Sequence, residues 1–194
     1  LLARGGQVVL ADINIARAEA VAEELGPKAH GAELDVRSSE SFEALAAQVF
    51  SSFGRVDVMV NNAGVSGGRG LLDTPEDEIA WVIDVNLKGV WRGTSVFGKR
   101  MREQTTPSVI CNIGSENSLG YISRGLGIYA AAQHGVVGMC DVLRHELPVH
   151  MKVCVACPGL VTSDLTRSST QTAPRPRLNE AQLDMSDRVM AMGM

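Results

Sequence analysis

The chain has 194 residues, of which 45% are hydrophobic and 21% are charged, so it can bury the core of one globular domain. Its formal net charge of -4, without a run of like charges, gives no basic surface for nucleic acid. These properties argue against a nucleic-acid partner and favour a protein that acts on small molecules.

No apolar run approaches the roughly 20 residues that a membrane-spanning helix needs. The N-terminal stretch LLARGGQVVLAD lacks the basic start and the small-residue cleavage site of a secretory signal. Cys154 and Cys157 form a C-x-x-C, but on a predicted strand, where side chains three positions apart point to opposite faces. We therefore expect a cytoplasmic protein with no membrane segment, no metal site and no redox cysteine pair.

Taken in chain order, short apolar runs rich in β-branched residues alternate with longer helical segments. The predicted strands are residues 7–11, 28–34, 56–60, 108–113 and 151–156. The predicted helices are residues 14–25, 38–53, a long segment that starts at Pro75, 128–147 and 179–190. This alternation predicts parallel strands with crossover helices on both faces, within a single domain over residues 1–194. The polar residues 163–178 are interpreted as a mobile substrate flap.

The residues at the strand ends are informative, because ligands of such sheets bind beyond the carboxyl ends of the strands. Asp12 ends the first predicted strand, Asp35 follows the second, and the sequence NNAG at residues 61–64 follows the third. An acid placed like Asp12 can bond an adenosine ribose hydroxyl and repel a 2′-phosphate, and it can equally cap the helix that follows. The small residues of NNAG would allow a close approach of backbone and ligand, although a tight turn would also explain them.

Several motifs, in order along nearly the whole chain, resemble those of the short-chain dehydrogenase/reductase family. They are LDV at residues 34–36, NNAG, the Asn of DVNLKG, the Ser of NIGS, the Tyr of IYAAA and PGLVT at residues 158–162. The resemblance implies a Rossmann-like, doubly wound parallel sheet of the α/β class. It also implies an NAD(P)-dependent oxidoreductase that transfers hydride between a nicotinamide cofactor and a secondary alcohol or carbonyl.

The resemblance assigns a role to each matching residue. Tyr129 would be the acid/base, Ser115 would bind the substrate oxygen, and Asn86 would hold a helix kink and a proton-relay water. Ser118 lies near enough to leave the serine assignment open. The cofactor contacts carried over are Asp12, Asp35, Val36, Asn62, Ala63, Gly64, Tyr129, Gln133, Pro158, Gly159 and Thr162.

The remaining expectations concern the cofactor and the assembly. Asp12 favours NAD over NADP, because a carboxylate repels a 2′-phosphate. By resemblance, a homodimer or homotetramer would form through the helices in residues 75–101 and 128–147.

Gln133 departs from the family pattern, which has a lysine one helical turn after the tyrosine. An unperturbed tyrosine, with a pKa of about 10, is ionised to only about one part in a thousand at neutral pH. A cation four residues away on the same helix face would favour tyrosinate, whereas Gln133 can bond a ribose hydroxyl but carries no charge. The neighbouring His134 lies about 140° round the helix and does not replace it. Slow catalysis is therefore expected.

The Gly-rich phosphate turn of the fold is expected about 20 residues before the strand-end acid, which counted back from Asp12 falls before Leu1. In the strand order 3-2-1-4-5-6 the first strand is central. Its absence predicts two unpaired strand edges that face a gap, and weak dinucleotide binding; the last strand is expected to be missing as well. A catalytically silent relative, which keeps the scaffold for assembly or ligand binding, is therefore the alternative.

Overall fold

The computed structural model describes residues 1–67, 69–120, 124–159, 161, 165–175 and 178–191. The strands in those residues are Val8–Asp12 (β1), Ala29–Glu33 (β2), Val58–Asn61 (β3), Ser108–Ile113 (β4) and Met151–Ala156 (β5). The α-helices there are Ile15–Leu25 (α1), Ser39–Phe53 (α2), Glu76–Ile83 (α3), Val90–Arg102 (α4), Gly127–Glu146 (α5), Leu165–Thr172 (α6) and Glu180–Ala191 (α7).

Side chains and glycines fix the helix ends where the sequence predicts them. The side chain of Asn14 accepts a hydrogen bond from the backbone N–H of Arg17 and begins α1. Ser38 caps α2 in the same way, and Gly54 ends α2 in the left-handed region with φ 75°. The predicted alternation of strands and helices is therefore confirmed, with boundaries that shift by one or two residues.

The strands form two parallel sheets. Within the described residues, β1 pairs with β2, and β3, β4 and β5 pair in that order. Residues of β1 and β3 line one cleft of about 620 Å³, together with apolar side chains of α2 and α4. The predicted gap beside these two strand edges is therefore present in the described part of the chain.

The core lies where α2, α4 and α5 pack against the strands of the two sheets. Phe42, Met101, Ile110 and Val136 are among its buried side chains. The long helix predicted from Pro75 is interrupted between α3 and α4 by a π-helical turn, Asp84–Gly89. Such a turn changes the direction in which a helix presents its side chains and is frequent at functional sites.

The segment after β5 is more regular than its sequence suggests. Residues 163–178 were expected to be a polar flap, and α6 occupies Leu165–Thr172 of them. Its serine and threonine hydroxyls donate to carbonyls one turn earlier, as Ser169 does to Leu165 and Thr170 to Thr166. Serine and threonine usually favour turns, and inside a helix their hydroxyls commonly make this bond to the preceding turn. None of the described helices is both long and apolar enough to cross a membrane.

Candidate active site

Tyr129 and Gln133 lie one turn apart on α5. The Nε2 group of Gln133 donates a hydrogen bond of 3.1 Å to the phenolic oxygen of Tyr129. Gln133 is only 6% exposed, and its Oε1 atom is buried without a hydrogen-bond partner. A buried acceptor without a donor is costly, so the unbonded Oε1 of Gln133 destabilises the folded state.

Asn86 holds the loop that follows β3. Its Oδ1 accepts from the backbone N–H of Val65 at 2.8 Å, and its Nδ2 donates to the carbonyl of Val65 at 2.7 Å. The side chain is buried and lies in the π-helical turn. Gly64 lies beside this side chain, since a Cβ on that glycine would be in ordinary van der Waals contact with Oδ1 of Asn86, at 3.6 Å. Both polar atoms of Asn86 are thus engaged with the loop.

Ser115 begins a short 3-10 turn, Glu116–Ser118, after β4. Its backbone N–H donates to Oγ of Ser118 at 3.1 Å, and its Oγ accepts from the backbone N–H of Asn117 at 3.2 Å. The amide Nδ2 of Asn117 adds a second bond to Oγ of Ser115 at 3.3 Å. Ser115 is therefore the cap of this turn, Ser118 completes the capping box by accepting from the backbone N–H of Ser115, and Asn117 holds the hydroxyl of Ser115.

The loops after β3, β4 and β5 converge at the N-terminal half of α5. The 3-10 turn packs against α5, and the backbone N–H of Glu116 donates to the carbonyl of Pro158 at 2.9 Å. A Cβ on Gly67 would lie 3.7 Å from Cβ of Tyr129, and one on Gly159 would lie 3.0 Å from Oε2 of Glu116. The loop after β3 therefore runs close to Tyr129, and the loop after β5 runs close to Glu116.

Four of the predicted cofactor contacts line the cleft between β1 and β3. They are Asp12, Val36, Asn62 and Ala63. Asp12 is exposed at the end of β1, where its Oδ1 accepts from the backbone N–H of Asn14 at 2.9 Å. Asp12 therefore shapes the turn before α1, while Asn14 is the helix cap. The side chain of Val36 packs beside the π-helical turn, since a Cβ on Gly89 would approach it to 3.1 Å.

Asp35 is engaged by a neighbour. Arg37 donates to both of its carboxylate oxygens, at 2.9 Å and 2.8 Å. These hydrogen bonds lower the pKa of Asp35 below its ordinary value, against the raising effect of partial burial. The carboxylate is thus held charged beside Arg37. Thr162, the last predicted cofactor contact, lies outside the described residues.

The helix α6 docks beside the loop after β3. The Oγ of Ser169, a fully buried residue, accepts from the backbone N–H of Ser66 at 2.8 Å. Arg175 forms an ion pair of 2.8 Å with Asp77 at the start of α3. The described part of the predicted flap thus contacts the loop that adjoins Tyr129.

Three of the residues that shape this site could not be singled out from the sequence. They are Val65, Asn117 and Ser169. Asn117 lies two positions after Ser115 in the stretch GSENS, but an asparagine is also an ordinary turn residue there. The contacts of Ser169 connect positions more than a hundred residues apart, so no local pattern could indicate them.

Two of the described cysteines have thiols whose pKa is raised. Burial, with a smaller contribution from the thiol of Cys154, raises the pKa of Cys111 to about 11. Burial also raises the pKa of Cys140. A raised pKa disfavours the thiolate, which is the nucleophilic form.

Comparison with known proteins identifies the fold and the motifs together. The family model described as short chain dehydrogenase matches residues 1–174. The chain belongs to the short-chain dehydrogenase/reductase family. The resemblance of its motifs is therefore confirmed, and its Rossmann-like α/β class agrees with the solved short-chain dehydrogenases that it matches.

The curated relatives of this short-chain dehydrogenase/reductase are named oxidoreductases. It is 31% identical over 174 residues to the probable oxidoreductase EphD of Mycobacterium tuberculosis. This alignment covers 88% of this chain and 29% of EphD. It is 33% identical over 175 residues to the 3-oxoacyl-(acyl-carrier-protein) reductase FabG of Haemophilus influenzae, with 85% of this chain and 71% of FabG covered. The chain thus spans less than a third of the length of EphD.

Two solved structures show the nicotinamide cofactors that such proteins hold. A short-chain dehydrogenase/reductase of Burkholderia phymatum, in complex with NAD, superposes with a TM-score of 0.84 at 28% identity and covers 96% of this chain and 69% of that one. An alcohol dehydrogenase of Thermococcus sibiricus, complexed with 5-hydroxy-NADP, has a TM-score of 0.76 at 25% identity and covers 98% and 81%. Both forms of the cofactor therefore occur among similar folds.

Proposed function

We propose that this short-chain dehydrogenase/reductase transfers hydride between a nicotinamide cofactor and a secondary alcohol or carbonyl compound. The observation that carries the proposal is the contact of 3.1 Å between Gln133 and the phenolic oxygen of Tyr129, beside a buried Oε1 that needs a donor. This arrangement offers an acid/base and an acceptor for a hydroxyl group within one helical turn.

The residues present fit a nicotinamide cofactor. The partnerless Oε1 of Gln133 would accept a ribose hydroxyl, and the exposed carboxylate of Asp12 would hold the adenosine ribose at the end of β1. Asn62, Ala63 and Val36 would line the groove, as they line the cleft. The bound nicotinamide supplies or accepts the hydride.

The side chains that would surround the substrate have different roles. Tyr129 would exchange the proton of the substrate oxygen, because general acid/base catalysis requires a group at that oxygen. Ser115 would hold the same oxygen with its hydroxyl. Asn86 would fix the loop after β3 through Val65, and its predicted part in a proton relay stays a prediction. Gln133 would orient the phenol of Tyr129 without the field of a charge.

NAD is the proposed cofactor, since a carboxylate at the end of β1 repels a 2′-phosphate. Replacing Asp12 with serine removes that charge while leaving a hydrogen-bonding group. The ratio of turnover with NAD to turnover with NADP should then fall by about tenfold or more. An unchanged ratio would contradict the role given to Asp12.

An assembly of two or four copies is also proposed, through the exposed faces of α4 and α5. Trp91 on α4 is 56% exposed and Val142 on α5 is 58% exposed. Both line a groove of about 590 Å³ between these helices. Sedimentation of the wild-type protein and of a variant with Trp91→Glu and Val142→Glu tests this; monomers in both would refute it.

The test of the function is an assay over a panel of secondary alcohols and ketones, followed by the absorbance of the reduced cofactor. Wild-type turnover that falls about a hundredfold or more in Tyr129→Phe supports the proposal. Ser115→Ala should also lose turnover, whereas Ser118→Ala should mainly lose stability, by about 1 kcal/mol, because its hydroxyl accepts the backbone N–H of Ser115 in the capping box.

A catalytically silent scaffold is the second candidate, favoured by the neutral Gln133 beside Tyr129. Cofactor binding that raises the urea midpoint of unfolding, without turnover on any substrate of the panel, would support it.

A further inference from the structure

The hydroxyl of Ser115 is surrounded by donors from one neighbouring residue. Its Oγ accepts from the backbone N–H of Asn117 at 3.2 Å and from Nδ2 of Asn117 at 3.3 Å. A serine hydroxyl has two acceptor positions and a single hydrogen to donate. Because both acceptor positions are filled, the hydrogen of Ser115 is left to point at a separate acceptor.

The amide of Asn117 is poorly suited to a role in stability alone. Its residue is 6% exposed, and Oδ1 is buried without a hydrogen-bond partner. A buried carbonyl without a donor destabilises the folded state. Local conflicts of this kind are expected where a side chain is kept for function.

We propose that Asn117 is a positioning residue that holds Ser115 as a hydrogen-bond donor to the substrate oxygen. The inference rests on the proposed function and adds to it the direction of one hydrogen bond. Ser115 would stabilise a carbonyl or the negative charge that develops on its oxygen during reduction. The phenolic oxygen of Tyr129 receives an amide N–H from Gln133 in the same way, so an amide side chain donates to each of the two hydroxyl groups.

Replacing Asn117 with aspartate tests the direction of the bond with little change of shape. A carboxylate cannot donate, and it would accept the hydroxyl hydrogen of Ser115 instead. The value of kcat/KM for carbonyl reduction should fall by about a hundredfold, as when one donor to a developing oxyanion is removed. The control is Asn14→Asp, because aspartate caps a helix as well as asparagine does, and this variant should keep the wild-type rate.

Replacing Asn117 with leucine separates positioning from stability. This variant loses the amide donor and the partnerless carbonyl, but it keeps the backbone N–H that bonds Oγ of Ser115. We expect a fall in kcat/KM of about tenfold or less, together with a urea midpoint equal to or above that of the wild type. A large fall in the midpoint, with the rate per folded molecule unchanged, would show that Asn117 is only structural.

The decisive measurement is a double-mutant cycle with Ser115→Ala. If Asn117 acts through Ser115, then Asn117→Asp should cause no further loss of kcat/KM in the Ser115→Ala background. A full hundredfold loss in that background would overturn the inference.

The same cycle made with Asn117→Leu, which removes the amide donor and supplies no other acceptor, reports the coupling in urea unfolding without any turnover. Additive changes in the midpoint would overturn the hydrogen bond itself. If the midpoints are coupled but the wild-type protein reduces no carbonyl of the panel, the hydrogen bond stands, while the proposed function and the donor role of Ser115 are refuted.

Discussion

Replacing Gln133 with lysine should increase the rate, which makes it the sharpest perturbation of this site. The amide Nε2 lies 3.1 Å from the phenolic oxygen of Tyr129, so an ammonium of similar reach would stand in direct contact with it. Two unit charges about 4 Å apart attract by about 4 kcal/mol at an effective dielectric constant of about 20. Desolvation of the ammonium opposes this attraction, and shifts beside a cation are about 1 to 3 pH units.

A shift of that size raises the ionised fraction of the phenol about ten- to a thousandfold at neutral pH. The rate of alcohol oxidation near neutral pH should rise by the same factor. The limb of the pH–rate profile on which the rate rises with pH should move to lower pH by about 1 to 3 units, because tyrosinate is the base. The free energy of unfolding should fall, because burying an ammonium at a position that is 6% exposed costs more free energy than burying the amide of Gln133 that it replaces. A gain in rate with a loss of stability cannot be attributed to better folding.

The assay is initial-rate alcohol oxidation across a range of pH, with urea unfolding of each protein in parallel. His134→Lys is the matched control, because it adds the same charge at the next position of α5, where the side chain is exposed. It should leave the profile unchanged. A folded, cofactor-binding Gln133→Lys protein with the wild-type profile would refute the role of Tyr129 as the acid/base.

Three further outcomes follow from the contacts. Asn86→Ala leaves a buried N–H and a buried carbonyl of the loop without partners, so urea unfolding should show a loss of about 2 kcal/mol or more; an unchanged free energy would contradict this. Because Arg37 lowers the pKa of Asp35, that carboxylate stabilises the fold above its ordinary pKa of about 4 and loses this effect as the pH falls through the lowered value. Asp35→Asn should therefore flatten the loss of stability in acid, and parallel curves would refute the linkage. Ser169→Ala removes a bond worth about 1 kcal/mol, so KM should rise about fivefold if α6 must dock to hold substrate; an unaltered KM would show that it need not.

Local sequence signals predicted the elements but not how the site is held together. Asn14 and Ser38 cap the N-termini of α1 and α2 as predicted, because a cap depends only on residues within one turn. The helix α6 was missed, because its serines and threonines are residues that usually favour turns and helix caps.

The site shows the same division between local and distant contacts. The motif that contains Tyr129 was recognisable, and so was Gln133, because the two lie four positions apart on one helix. The partner of Asn86 in the loop after β3 and the partner of Ser169 depend on contacts between distant segments. No spacing along the chain encodes such contacts.

The central claim is that hydride passes between a nicotinamide and a substrate whose oxygen is protonated or deprotonated by Tyr129. The most direct test supplies NADH that carries two deuterium atoms at C4 of the nicotinamide, with the ketone that gives the highest turnover, and determines by mass spectrometry where the transferred deuterium ends. We predict one deuterium on the carbinol carbon of the product with the wild-type protein, and the same product formed about a hundredfold more slowly with Tyr129→Phe. A product without deuterium, or an equal rate in both proteins, would contradict it.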